Sequence, residues 1–359
     1  MAPSQDDILA HFREQAGFCA ALGSPFMQAL CLAMATDIEK RGPVSKLVKG
    51  WKGNPRRDAL SLRIAGFLHY CVLSGAAPQL AAAYPAANPD WTMEQVWPVA
   101  RALLAERATE AALFIQSPPQ TNETRRAIAL LPGFLKTASL YPGPMHLLEL
   151  GASAGLNLNW DRFTYKTHRW ELSGEPSIEI DTEWDGPPPD HLDIAFNIVS
   201  RAACDQSPIN VNEPDAALRL ASYFWPDQPE RLARLDAAMD LARRTRVSVD
   251  AADAAEWLAA KLAARPEEGV TVVYHSVFLQ YPPAETRRAL QAMLEEEGAA
   301  ATFERPLAWL CFEPGAFFQG EDQVGIDPND FITYLRVWPD NETHRLLRSD
   351  GHVRRVQPL

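Results

Sequence analysis

The spacing of apolar residues changes near Met145, and that change limits the chain to an architecture with two kinds of layer. Before it, Phe26, Leu30, Met34 and Ile38 fall on one helical face, with Gly42-Pro43 as a stop. Further helices are predicted over 60–73, 93–115 and 121–140, closed by Ser74-Gly75 and, for the second, by Ser117-Pro118-Pro119. Residues 1–140 thus form an all-helical N-terminal cap domain. After it, short apolar runs alternate with helical stretches, the signature of a parallel sheet with crossover helices. Strands are predicted at 146–150, within 192–204, and at 247–249, 270–274 and 307–312. Helices fit 215–245 (broken near Pro226 and Pro229), 254–264 and 284–297, the last stopped by Gly298. Three runs at 331–338, 343–348 and 352–356 are joined by Pro339-Asp340-Asn341 and Ser349-Asp350-Gly351, which reads as antiparallel strands. Residues 141–359 are therefore an α/β domain with a mostly parallel sheet, interrupted by proline-rich loops at 186–189 and 319–329.

With 34 Lys and Arg against 46 Asp and Glu, the formal charge of −12 offers no basic footprint for phosphates. No nucleic-acid partner is expected. Residues 1–15 lack a basic stretch followed by an apolar run, and 64–78 is shorter than the roughly 18 residues a membrane span needs. Neither a secretory signal nor a membrane partner is expected. The five cysteines, Cys19, Cys31, Cys71, Cys204 and Cys311, lie far apart with no Cys-x-x-Cys spacing. No metal site follows from them, and the expected setting is a cytoplasmic protein with buried, reduced thiols.

In open α/β sheets, ligands bind outside the carboxyl ends of the strands. Every predicted parallel strand here is followed by a polar or ionisable group: Glu149, Asp205, Asp250 with Asp253, His275-Ser276, and Glu313. A purely structural sheet would not require that. The first strand runs into Gly151-Ala152-Ser153-Ala154-Gly155, where glycines allow a tight turn and a close approach to a ligand. A helix from about Ala154 would aim free N–H groups and a positive dipole end at an anionic ligand group. The dinucleotide fingerprint Gly-x-Gly-x-x-Gly does not fit, because Leu156 stands where its third glycine belongs. This weakens the reading as a nicotinamide-dependent oxidoreductase.

Glu149-Leu150-Gly151-Ala152-Ser153-Ala154-Gly155 resembles the first motif of class I S-adenosylmethionine-dependent methyltransferases, acidic-x-Gly-x-Gly-x-Gly, with Ser153 in place of the middle glycine. That resemblance implies a class I methyltransferase-like, Rossmann-like sheet. It also implies cofactor contacts from Glu149, Gly151, Ser153 and Gly155. Asp205 would then hold the ribose hydroxyls and the Asp253-Ala254 pair would meet the adenine. The separation from Gly155 to Asp205 requires an insertion, at about 163–190. A helix N-cap is the competing role for Asp253. Gln120-Thr121-Asn122-Glu123, Leu148 through Leu158, Trp225-Pro226 and Tyr274-His275-Ser276 resemble a bacterial family known as domain of unknown function 2332, regarded as methyltransferase-like, over nearly the whole chain. From that resemblance, Asn122, Glu123 and Arg126 line the cofactor's methionine end, although a helix cap explains the first two as well.

The leading expectation is methyl transfer from S-adenosylmethionine to a small-molecule acceptor. His275, at the end of a central strand, is the candidate base, because its ordinary pKa near 6.5 suits acid–base work. Tyr281 and Tyr274 could orient or deprotonate an acceptor, with aromatic packing as the competing role. Asn157 and Trp225 are candidate acceptor contacts, and helix surface or core packing are their competing roles. The Tyr274-His275-Ser276 string replaces the Asn/Asp-Pro-Pro-Tyr motif of amino methylation on DNA. A non-catalytic, S-adenosylmethionine-binding or interaction protein on a degenerate methyltransferase fold is the alternative.

Overall fold

The computed structural model describes residues 3–318 and 325–359, so 319–324 of the proline-rich loop at 319–329 lie outside the described residues. The helices are α1 (Gln5–Ala21), α2 (Pro25–Glu39), α3 (Pro43–Val48), α4 (Leu60–Leu73), α5 (Pro78–Ala83), α6 (Met93–Glu106), α7 (Ala108–Phe114), α8 (Arg126–Leu140), α9 (Pro214–Ser222), α10 (Pro229–Thr245), α11 (Ala254–Ala263) and α12 (Ala284–Ala299). The strands are β1 (Pro144–Leu150), β2 (Phe163–Lys166), β3 (Glu171–Leu172), β4 (Glu175–Asp181), β5 (Glu183–Trp184), β6 (Asn197–Asp205), β7 (Asp250–Ala251), β8 (Val270–Ser276), β9 (Leu307–Pro314), β10 (Phe331–Trp338), β11 (Glu342–Ser349) and β12 (Arg355–Pro358). No described helix is long and apolar enough to cross a membrane.

The chain packs as two units. The first comprises the residues up to Thr121 together with Asn212–Asp236, and the second comprises Asn122–Val211 and Ala237–Leu359. The division therefore falls at Thr121 instead of 140. The reason is that α8 lies on the sheet, where Gly133 brings its backbone against Leu310 of β9.

The first unit is helical. Ser4 and Asp7 form a reciprocal capping box at the start of α1, and Ser24 with Pro25 starts α2. The stripe of Phe26, Leu30, Met34 and Ile38 is buried, as its spacing requires. The single helix expected over 93–115 breaks at Arg107, whose φ of −105° and ψ of 34° leave helical geometry. The later segment completes this core. Tyr223 and Trp225 join its apolar cluster, and a Cβ on Gly66 would stand 2.5 Å from the Tyr223 ring. Asp227 accepts from the Ser24 hydroxyl at 2.6 Å and the Phe26 amide at 2.9 Å.

In the second unit the described strands form one large sheet in the order β5-β12-β11-β10-β9-β8-β1-β6-β7, and a small one in the order β3-β2-β4. Pairing is parallel from β9 through β8, β1 and β6 to β7, and antiparallel from β9 out to β12. Both faces carry helices. Leu310 meets α8, whereas the preceding residue, Trp309, packs with Trp257 and Leu258 of α11 and Leu290 and Leu294 of α12. Burial on both faces explains why β1 and β8 read as continuous apolar runs. The third parallel strand is shorter and later than expected, at 250–251. Val247 and Val249 instead pack at the glycine turn, 2.6 and 2.8 Å from where a Gly155 Cβ would lie. Gly298 sits inside α12 and does not end it, since a Cβ there would stand 2.4 Å from the Trp338 ring.

Candidate functional site

The sheet order reverses between β1 and β8. From β1 the chain crosses to β6 and β7 on one side, then returns to β8 and β9 on the other. The connections leave the carboxyl ends of β1 and β8 in opposite directions, and doubly wound sheets bind their ligands at such a point. The residues after β1 occupy it.

Gly151, Ser153 and Gly155 all take left-handed backbone, with φ of +67°, +54° and +67°. Ser153 therefore holds the conformation that a middle glycine would hold, at a cost of about 1–2 kcal/mol for an L-residue. Gly151 is required twice over, because a Cβ there would stand 2.4 Å from the Phe278 ring. The turn is tied to the end of β6. The Ser153 amide donates to Asp205 Oδ2 at 2.9 Å and the Ser207 amide to Oδ1 at 2.8 Å. The Ile209 amide closes back on the Ser153 carbonyl at 3.1 Å.

The α-helix expected from Ala154 is instead a short 3₁₀ helix, Leu156–Arg162, kinked at Asn159. Its first amide is not free, since Leu156 N–H donates to Asn122 Oδ1 at 2.9 Å. The leading amide expected to face an anion is therefore already taken. Arg125 is the N-cap residue of α8, and no side chain caps the helix. Asn122 reaches the glycine turn, while Glu123 accepts from the Arg125 amide at 3.1 Å and, through its carbonyl, from the Asn157 side chain at 3.4 Å. Arg126 Nε donates away from the turn, to the Gly351 carbonyl at 3.3 Å.

Beneath the turn, Tyr274 donates its hydroxyl to Glu149 at 3.2 Å, with the Asn157 carbonyl at 3.4 Å. Burial pushes the Glu149 carboxyl up to about 8, against the opposing effect of the Tyr274 hydrogen bond. Burial, with Glu149 beside it, also pushes the phenol far up. Both shifts favour the neutral forms. Two buried polar atoms here lack partners, Ser153 Oγ and Asn157 Oδ1. Such atoms are uncommon in folded proteins and call for a physical account. The structure thus brings together Glu149, the turn of Gly151, Ser153 and Gly155, Asp205, Asn122, Glu123 and Asn157.

The other predicted residues lie elsewhere. Leu148 and Leu150 pack toward α11 and α12, so Glu149, between them, faces the opposite side with Tyr274. His275 follows Tyr274 and points to the α11–α12 side, where Nδ1 meets Glu313 at 2.7 Å and Nε2 accepts from the Trp309 indole at 3.0 Å. Both ring nitrogens are occupied. Asp253 caps α11 by accepting from Ala255 and Glu256 amides, and Ala254 is buried against the sheet. Asp250 accepts from the Trp257 indole at 2.7 Å. Tyr281 is 64% exposed, and Trp225 belongs to the core of the helical unit. Glu313 and Phe278 were not among the predicted contacts. The polar group closing the fifth strand was visible in the sequence, but its partners His275, Phe278 and Leu279 on another chain segment were not.

No described group of three or more His, Cys, Asp or Glu is placed to hold a metal ion. Comparison with curated proteins finds no match, and neither does comparison with solved structures. A protein-family profile described as an uncharacterized protein conserved in bacteria matches residues 10–357, a span that includes the glycine turn and runs from within α1 to within β12. The chain belongs to that bacterial family, DUF2332.

Proposed function

We infer that the second unit binds S-adenosylmethionine at the β1–β8 crevice and transfers its methyl group to a small-molecule acceptor. One observation carries the reading: the acid ending β6 meets the left-handed turn after β1, with Asp205 Oδ2 2.9 Å from the Ser153 amide. Nucleoside cofactors are held by such a pairing of an acid, which accepts from ribose hydroxyls, with a glycine-rich turn that lets the ligand approach. The strand order β7-β6-β1-β8-β9 is that of doubly wound nucleotide-binding sheets, which supports a methyltransferase-like, Rossmann-like assignment. The unpartnered Ser153 Oγ and Asn157 Oδ1 fit the group, since an amino acid end offers both an acceptor carboxylate and a donor ammonium.

When bound, the cofactor supplies an electrophilic methyl on a sulfonium. The residues of the chain orient it. Asp205 would hold the ribose, the turn admits its close approach, and Asn157 with the Glu149–Tyr274 pair would line the opposite side. His275 and Tyr281 do not serve as bases in this reading, one being hydrogen-bonded at both ring nitrogens and the other exposed. The acceptor is therefore an atom that already carries a free lone pair at neutral pH, such as a thioether or a pyridine-type nitrogen. The same occupancy of His275 favours, as the second reading, binding without turnover.

Titration calorimetry with S-adenosylmethionine, S-adenosylhomocysteine and NAD tests the site. Both adenosyl sulfur ligands should bind, and NAD should not. Asp205→Asn should weaken S-adenosylhomocysteine by about 10- to 100-fold, the effect of a lost charge-assisted hydrogen bond. Undiminished affinity in Asp205→Asn refutes the placement. Formation of S-adenosylhomocysteine with an acceptor pool separates transfer from binding alone.

A further inference from the structure

Glu313, the last residue but one of β9, is fully buried, on the side of the sheet away from Glu149 and Tyr274. An isolated carboxylate in such a place is strongly unfavourable. Three donors converge on it instead. Oε1 lies 2.7 Å from His275 Nδ1 and 2.7 Å from the Phe278 amide, and Oε2 lies 3.3 Å from the Leu279 amide. The Trp309 indole donates to His275 Nε2, so the neutral ring keeps its proton on Nδ1 and donates it to Glu313.

These bonds hold a strained bend. Val277 has φ of +53°, a conformation that a β-branched residue rarely adopts. Such backbone persists only where its surroundings impose it. The Val277 amide is fixed to the Phe312 carbonyl at 2.8 Å, and the next two amides are gathered by Glu313. The bend delivers the Phe278 ring to Gly151, into the space a Cβ would take. A ring in that place stands at the turn after β1, beside the ligand site inferred above.

We propose that Glu313 is a positioning residue: through His275 and two main-chain amides it holds Phe278 against Gly151 and so fixes the apolar wall of the ligand crevice. The ligand part of this rests on the adenosyl-cofactor reading above. The wall keeps water from one side of the crevice and rejects ligands with a polar group there.

Hydrogen exchange of the ligand-free chain, read by mass spectrometry, tests the linkage without any cofactor. Glu313→Gln should raise exchange at 278–279 by about tenfold or more, and raise it at the glycine turn 151–155 as well. Phe278→Leu should raise exchange at the glycine turn alone, leaving 278–279 protected. Titration with S-adenosylhomocysteine should then show about tenfold weaker binding in both variants, with Glu313→Asp, which keeps the charge, recovering part of the loss. Unchanged exchange at 278–279 in Glu313→Gln overturns the proposal, and so does unchanged affinity in both variants. If Glu313→Gln does not fold, Phe278→Leu decides, and an unaltered glycine turn overturns it. A wild-type protein that binds no adenosyl ligand refutes the cofactor reading, while the exchange results still judge the Glu313 linkage.

Discussion

Ser153 combines two unfavourable choices at one residue, a left-handed backbone and a buried hydroxyl with no partner. Proteins keep such choices where a ligand uses them. Ser153→Ala removes only the hydroxyl. Without ligand the variant should be as stable as the wild type, or more stable by up to about 1 kcal/mol, in urea unfolding. Its affinity for S-adenosylhomocysteine should fall about tenfold. A variant that loses stability and binds as before would assign the hydroxyl a structural role. Gly151→Ala acts in the other direction. It adds a Cβ against the Phe278 ring on a left-handed backbone, and should cost about 1–3 kcal/mol in the same assay.

Among the elements, α8 depends on the fit of Gly133 over Leu310, whose side chain lies 2.2 Å from an added Cβ. Alanine favours a helix over glycine by about 1 kcal/mol, yet overpacking a core costs about 1–3 kcal/mol, so Gly133→Ala should be net destabilising. Gly133→Ala with Leu310→Ala should cost less than the two separately, which a double-mutant cycle reads directly. Elements set by their own periodicity were legible in the sequence. The spans 60–73, 270–274 and 331–338 were seen because a helical stripe or a doubly buried strand leaves a local pattern. Elements set by distant partners were not. The 3₁₀ turn after Gly155 depends on Asn122, and the shortening of β7 depends on valines drawn to the glycine turn. At the site, Asp205 beside the turn was legible from the strand-end rule. The seclusion of His275 was not, because it depends on Trp309 and Glu313 from another strand.

At the level of the whole molecule, the two units should answer to pH in opposite directions. In the helical unit, burial pushes His11 and His69 down to about 4 from 6.5. Their contribution is present above 6.5 and is lost as pH falls through 4, because the unfolded chain then binds protons that the folded one refuses. In the α/β unit, Glu149 is raised from 4.5 to about 8. Its contribution is present below 4.5 and is lost as pH rises through 8, with a slope of at most about 1.4 kcal/mol per pH unit. Hydrogen exchange, corrected for its intrinsic pH dependence, should show peptides of the helical core gaining protection from pH 4.5 to 6.5. Peptides around Glu149 should lose it from pH 6 to 8. A common response in both sets would contradict the assignment.

The return of residues 212–236 to the helical unit also sets an order of events at the ribosome. Synthesis runs from the N-terminus, and folding during synthesis begins with whatever has emerged. When Thr121 emerges, the groove that receives Tyr223 at Gly66 is still empty, and the Asp227 that ties down Ser24 and Phe26 has not been made. The nascent helices must wait, partly uncovered, through the whole of β1 to β6. A chain ending at residue 121 would be a nascent intermediate, open to chaperones and proteases, whereas the same helices joined by a linker to 212–236 would close.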